Sequence, residues 1–223
     1  MSRTPLRERS LPDYTRKEDM MNMATHIAGA VIGIITLVLG ILISVSHQNV
    51  WGVVGVSIYG TFMILLFTVS SVYHGLKPGM AKKVMQVIDH CTIYFLIAGT
   101  YTPILLSAMR PVHPGWAWTV FGAEWALAVF ATVFTAIDHD KFSKLSMACY
   151  IGMGWFVVLA LKPTLEAIGI KGFIMLLIGG ISYTVGAILY NVGKKKPIYH
   201  TVFHIFVDIG ALLQAVCILL YVL

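Results

Sequence analysis

Charge is what this sequence has least of. Only 12% of its 223 residues are Asp, Glu, Lys or Arg, against 58% hydrophobic, whereas a soluble domain carries roughly a quarter charged residues. That balance excludes a soluble globular protein. Cysteine is scarce as well: Cys91, Cys149 and Cys217 form an odd set with no CxxC pair, so no disulfide framework is expected. Internal repeats and low-complexity tracts are lacking, and no long polar stretch follows residue 22.

What is present is hydrophobic length. Seven apolar runs of about 17 to 24 residues cover 24 to 45, 50 to 74, 84 to 107, 116 to 137, 145 to 161, 170 to 191 and 198 to 222. As a helix, each crosses a hydrocarbon core of ~30 Å. The pattern predicts an all-α polytopic membrane protein: a seven-transmembrane-helix bundle over residues 23 to 223, behind a polar cytoplasmic segment of residues 1 to 22. Ser44-Val45-Ser46 resembles a cleavage site, but the apolar run before it, with charge ahead of it, suits an anchor better than a signal peptide. So little chain lies outside the runs that no soluble catalytic domain, nucleic-acid partner or soluble cofactor is expected. The expected partners are membrane lipids.

Basic residues then orient the bundle. Of the sixteen Lys and Arg, thirteen fall on the amino-terminal side of alternate runs and three on the other, which predicts a cytoplasmic amino terminus and an external carboxyl terminus. Trp51, Trp116 and Trp118 begin runs at the outer boundary, where amphipathic rings settle. Lys194, Lys195 and Lys196 read as a cytoplasmic anchor. Gly29, Gly33 and Gly40 share one face of the first run, as close helix packing requires.

Polar residues that hydrocarbon disfavours carry the chemistry. The second run ends with Ser70 and His74, the third begins with Asp89 and His90, and the seventh begins with His200 and His204. At 1.5 Å per residue, Ser70, His74, Asp89, His200 and His204 fall within ~10 Å of the cytoplasmic boundary. His200 and His204 are four apart, on one helix face. Adding His74 supplies three nitrogen donors and leaves a fourth position for water, the open arrangement of a catalytic zinc. Asp89 then suits the role of base and Ser70 that of donor to a carbonyl, for hydrolysis of an amide or ester. The same spacing equally fits histidines solvated at a wet interface. His47, His113 and His139 lie in loops and are given no metal role, and His26, in the same cytoplasmic layer, either supports the site from behind its ligands or, as the favoured reading, is a solvated helix-end residue.

Longer motifs add a family resemblance. Asn22-Met23-Ala24-Thr25-His26, the Ser70 to His74 stretch, the run from Asp89 to Pro103, Gly152-Met153-Gly154-Trp155, Gly179 to Ala187 and His200-Thr201-Val202-Phe203-His204 occur in order. From about Glu18 onward the chain resembles the bacterial hemolysin III proteins, the prokaryotic branch of the progestin and adipoQ receptor family. The resemblance implies seven helices in a bacterial cytoplasmic membrane, zinc held by His74, His200 and His204, and a water-bridging Asp89. Related adiponectin receptors and alkaline ceramidases share the set and are regarded as lipid-amide hydrolases. The resemblance therefore implies a zinc-dependent hydrolase of lipid amides or esters acting in membrane homeostasis. Two alternatives stand beside it: a receptor or regulator with a structural zinc, and a cytolytic pore. Asp208 and Gln214 depart from the family pattern. Asp208 is expected either to orient His204 or, with Glu124, to be a protonated acid hydrogen-bonded to a neighbouring helix, the favoured reading, with a proton or cation path through the two acids as the alternative.

Overall fold

Apolar runs fold as helices because in hydrocarbon every backbone amide and carbonyl has to be satisfied within its own segment. The computed structural model describes residues 3–192 and 198–223, and among these there is no strand. The helices are α1 (Arg16–Ser46), α2 (Val50–Gly75), α3 (Met80–Pro103), α4 (Pro114–Ile137), α5 (Ser143–Gly154), α6 (Leu161–Val192) and α7 (Ile198–Tyr221). A π-helical turn at Ile104–Met109 follows α3, and a 3-10 turn at Phe156–Val158 follows α5. Six helices, all but α5, are long and apolar enough to cross a membrane. Lys194 to Lys196, expected as an anchor, lie outside the described residues.

Helices α1 to α4 pack antiparallel in succession, and so do α6 and α7. Along α1 and α2, Gly29 meets Phe67, Gly33 meets Ile64 and Gly40 meets Val56, and a Cβ added at Gly40 would lie 2.2 Å from Val56 Cγ2. This is the close approach that a small-residue face permits. At one end of the bundle α7 pairs with α1, where the Thr201 hydroxyl donates to Asn22 Oδ1 at 2.6 Å. At the other end His47 Nδ1 donates to the Leu223 carbonyl oxygen at 2.9 Å. The first of these ends holds the histidines and is called the site end below.

The fifth run differs from the expected single span over 145 to 161. Helix α5 has only 12 residues, too few to cross alone. It breaks at Gly154, and Tyr101 of α3 repairs the break: its hydroxyl donates to the Gly154 carbonyl (3.0 Å) and accepts from the Val157 N–H (3.1 Å). Irregular backbone at membrane depth is tolerated where protein groups satisfy it in this way. A second break follows inside α6 at Gly169, whose φ of 68° is a left-handed conformation that glycine adopts freely. Between Ser146 and Glu166 the chain still runs the height of the bundle. Ser146 is hydrogen-bonded to Thr135, near the site end of α4 (3.0 Å), while Glu166 meets His113 just before α4 begins.

Helix α1 starts eight residues earlier than the apolar run, because Thr15 and Glu18 form a capping box. The segment before it is strapped across the site end. The Thr4 N–H donates to Asp138 Oδ2 (2.9 Å), Arg9 Nη2 donates to the Ile137 carbonyl (2.7 Å), and Lys83 Nζ donates to the Arg7 carbonyl (2.6 Å). Burial pushes the Asp138 carboxyl up, but hydrogen bonds from Thr4 and Lys141 and the nearby Arg9 guanidinium outweigh it and bring the pKa down to about 2.

Candidate metal centre

His74 closes the last turn of α2, while His200 and His204 sit one turn apart at the start of α7. All three are buried. Their Nε2 atoms face one another, 3.4 Å apart between His74 and His200 and 3.0 Å between His200 and His204. The opposite nitrogens are engaged: His74 Nδ1 lies 3.0 Å from Asp19 Oδ1, and His204 Nδ1 lies 3.3 Å from the Asn22 carbonyl oxygen. Acceptors at Nδ1 keep the proton there and leave Nε2 of both rings a lone pair. Lone pairs turned toward one another repel unless a cation lies between them. The donor atoms all fall within 4.8 Å of one another, so the group could bind a metal ion. Nitrogens bound tetrahedrally at ~2.0–2.1 Å stand about 3.3–3.4 Å apart, a spacing that His74 and His200 match and that His200 and His204, at 3.0 Å, fall short of.

Further residues hold these rings. Asp19 spends its second oxygen on Lys82 Nζ at 2.5 Å, so a buried carboxylate, a buried ammonium and an imidazole are linked in a row. Lys82 also donates to the Leu76 carbonyl. A carboxylate on the outer nitrogen of a metal-binding histidine fixes its tautomer and raises its basicity. Tyr14 of the amino-terminal strap stacks on His200 with ring centroids 5.0 Å apart. Sequence reasoning missed Asp19 and Lys82 and met Asn22 only as part of a motif. A signal was there: Asp19, Asn22 and His26 recur at i, i+3 and i+7, a polar stripe on one face of α1.

Three expectations change. His26 is not solvated; it is buried and stacks on His204 with centroids 3.7 Å apart. Asp208 does not orient His204, for its Oδ1 has no hydrogen-bond partner among the described residues and lies beside Gly29. Both Glu124 oxygens are likewise buried and unbonded there, so neither acid is tied to a neighbouring helix as expected.

Ser70 and Asp89 face one another and, with His200 and His204, line one end of a partly open cavity of about 170 Å³. A single water needs only roughly 10–15 Å³, so this is no packing defect. From the site the cavity follows α3, α6 and α7 past Ile104, Leu176 and Gln214, and its walls are mostly apolar. The structure thus brings all five sequence-predicted residues to one place: three on a common centre, and Ser70 and Asp89 on the wall beside it.

Fold and site together define a class: an all-helical, multi-pass membrane protein with a buried trio of histidines, two of which line one end of an apolar chamber. Residues 14–215 match the family described as Haemolysin-III related, and the chain belongs to that family. It is 38% identical over 208 residues to Hemolysin-3 of Bacillus cereus, covering 93% of each chain. To the Hemolysin-3 homolog of Bacillus subtilis (strain 168) it is 36% identical, covering 93% of this chain and 96% of the relative. The human Monocyte to macrophage differentiation factor is 26% identical over 220 residues, covering 94% of this chain and 85% of that protein. No solved structure matches.

Proposed function

We propose that the protein is a zinc-dependent hydrolase of lipid amides or esters, acting in the cytoplasmic membrane of a bacterium with its site toward the inner leaflet. The observation that carries this reading is the convergence of three imidazole Nε2 atoms, two of them freed by acceptors on Nδ1, at the end of an apolar chamber. Nitrogen-only donors in a closely spaced trio suit zinc and leave a coordination position open. Bound there, zinc supplies Lewis acidity and lowers the pKa of water toward ~7.

The rest of the chemistry belongs to side chains. Asp89 takes the proton of the attacking water and passes it to the departing amine or alcohol, so that the carbonyl–heteroatom bond breaks without a free alkoxide or amide anion. Ser70 donates to the carbonyl oxygen as negative charge collects on it. The acyl chain lies along the apolar walls and enters from the bilayer between α5 and α6, which both line the chamber and touch only sparsely. In this reading the segment from 143 to 168 is the fifth of seven crossings, and the amino terminus with its strap is cytoplasmic.

The test combines metal analysis with turnover. One zinc per purified chain, lost in His200→Ala/His204→Ala, together with cleavage of a long-chain N-acyl amide that stops in His204→Ala and on chelation, is the expected result. Zinc whose removal lowers thermal stability, in a protein that never cleaves amide or ester lipids, would leave a structural metal and end the hydrolase reading.

A further inference from the structure

At the end of the cavity away from the histidines, Gln214 of α7 is buried among apolar walls. Its Nε2 donates to the Leu176 carbonyl at 3.1 Å. Gly179 makes room for the amide, since a Cβ there would come within 2.8 Å of Nε2. The other half of the amide is unanswered: Oε1 is buried with no hydrogen-bond partner among the described residues. Several other polar groups along the chamber are spent on backbone. Thr100 and Thr184 donate to the Leu96 and Gly180 carbonyls, and Tyr101 holds the α5 break. A buried acceptor without a donor is costly, and a site that keeps one discriminates strongly for a ligand that supplies the donor.

The distance sets where on the ligand that donor lies. Ten residues of helix separate His204 from Gln214, about 15 Å. An extended hydrocarbon chain, with bonds of ~1.52 Å at ~111°, advances about 1.25 Å per carbon. We propose that Gln214 Oε1 is a specificity subsite for a hydroxyl carried roughly twelve carbons along the acyl chain, so that the chamber selects mid-chain hydroxylated acyl groups over plain ones. The proposal rests on the reading of the chamber as an acyl-chain site. It does not require the metal centre to be catalytic.

Binding measured directly separates the two. Purified protein is titrated with stearic acid, 12-hydroxystearic acid and 3-hydroxystearic acid, with tryptophan emission as the readout, since Trp155 lines the chamber. Wild type should bind the 12-hydroxy acid about three- to tenfold more tightly than stearic acid, and the 3-hydroxy acid without that gain. Gln214→Leu should still bind stearic acid, which shows that it folds, and should lose or reverse the preference. Equal binding of the three acids by wild type overturns the subsite and leaves the acyl chamber standing. A 12-hydroxy preference that survives Gln214→Leu overturns it too, because the hydroxyl is then held elsewhere. Failure of every fatty acid to bind overturns the chamber reading and the subsite together.

Discussion

At the scale of single residues, His74, His200, His204, Ser70 and Asp89 were legible because helix rise alone brings them to one layer and a four-residue spacing to one face. Asp19 and Lys82 were not. Charged residues ahead of an apolar run read as solvated, and only the folded chain shows both buried, paired with each other and with His74. Asp208 misled in the opposite sense, since a spacing of four from His204 places it on the right helix but not in contact with the right ring. These differences yield a prediction. Asp19→Asn keeps the shape of the side chain but removes the charge that holds His74 Nδ1–H, and should weaken metal affinity about 10- to 100-fold in a chelator competition at fixed pH. Asp208→Asn should leave affinity unchanged. Because Asp19→Asn also strands the buried Lys82 ammonium, which is destabilising, Asp19→Asn/Lys82→Met is the companion variant. Recovery of stability but not of affinity in the double variant assigns Asp19 to the histidine. Recovery of both would reduce it to a counter-ion for Lys82.

At the scale of elements, four of the seven expected runs closely match helices and the sixth matches α6 only beyond its break at Gly169, since hydropathy over about twenty residues reports burial in lipid directly. It does not report hydrogen bonds from outside the segment. The first run therefore began too late, at the apolar boundary and not at the Thr15 cap, and the fifth concealed a break that Tyr101 repairs from another helix. The strap lay beyond sequence reasoning for the same reason: Thr4 and Asp138 are 134 residues apart. Its fastening has a defined pH dependence. The Asp138 pKa falls from 3.8 to about 2 in the folded protein, so the ionised carboxylate favours the docked strap. That contribution is complete above about pH 4 and is lost as pH falls through about 2. Amide hydrogen exchange of residues 4 to 14, corrected for the intrinsic pH dependence of exchange, should show constant protection from neutrality to about pH 5 and a decline below about 4. Asp138→Asn should show the reduced protection already at pH 7. A decline centred between pH 7 and 5 would assign the fastening to some other group.

At the scale of the whole molecule, the count of crossings turns on residues 143 to 168. Taken alone α5 is too short, but the contacts of Ser146 with Thr135 and of Glu166 with His113 span the bundle from end to end. Twenty residues between those contacts correspond to about 30 Å of helix, the thickness of the hydrocarbon core. If this broken segment crosses, the crossings number seven, the termini lie on opposite faces, and the basic residues divide thirteen to three in favour of a cytoplasmic amino terminus. If it does not, Lys162 stays on the same side as Lys141. Single cysteines placed in a chain freed of Cys91, Cys149 and Cys217 decide between these. With a membrane-impermeant maleimide on intact cells, Gln48→Cys and Lys162→Cys should label at once, and Lys77→Cys and Lys141→Cys only after permeabilisation. Lys162 carries the decision because its side chain is 86% exposed and not shielded by neighbouring helices. Labelling of Lys162→Cys together with Lys141→Cys would show that the segment turns back within the protein, and would move the carboxyl-terminal helices, His200 and His204 included, to the opposite sense across the membrane. The two histidines of α7 could then no longer meet His74 at the end of α2. Metal binding by the trio therefore requires the topology that external labelling at Lys162 reports, and a metal held by His74, His200 and His204 together is incompatible with an inward-facing Lys162.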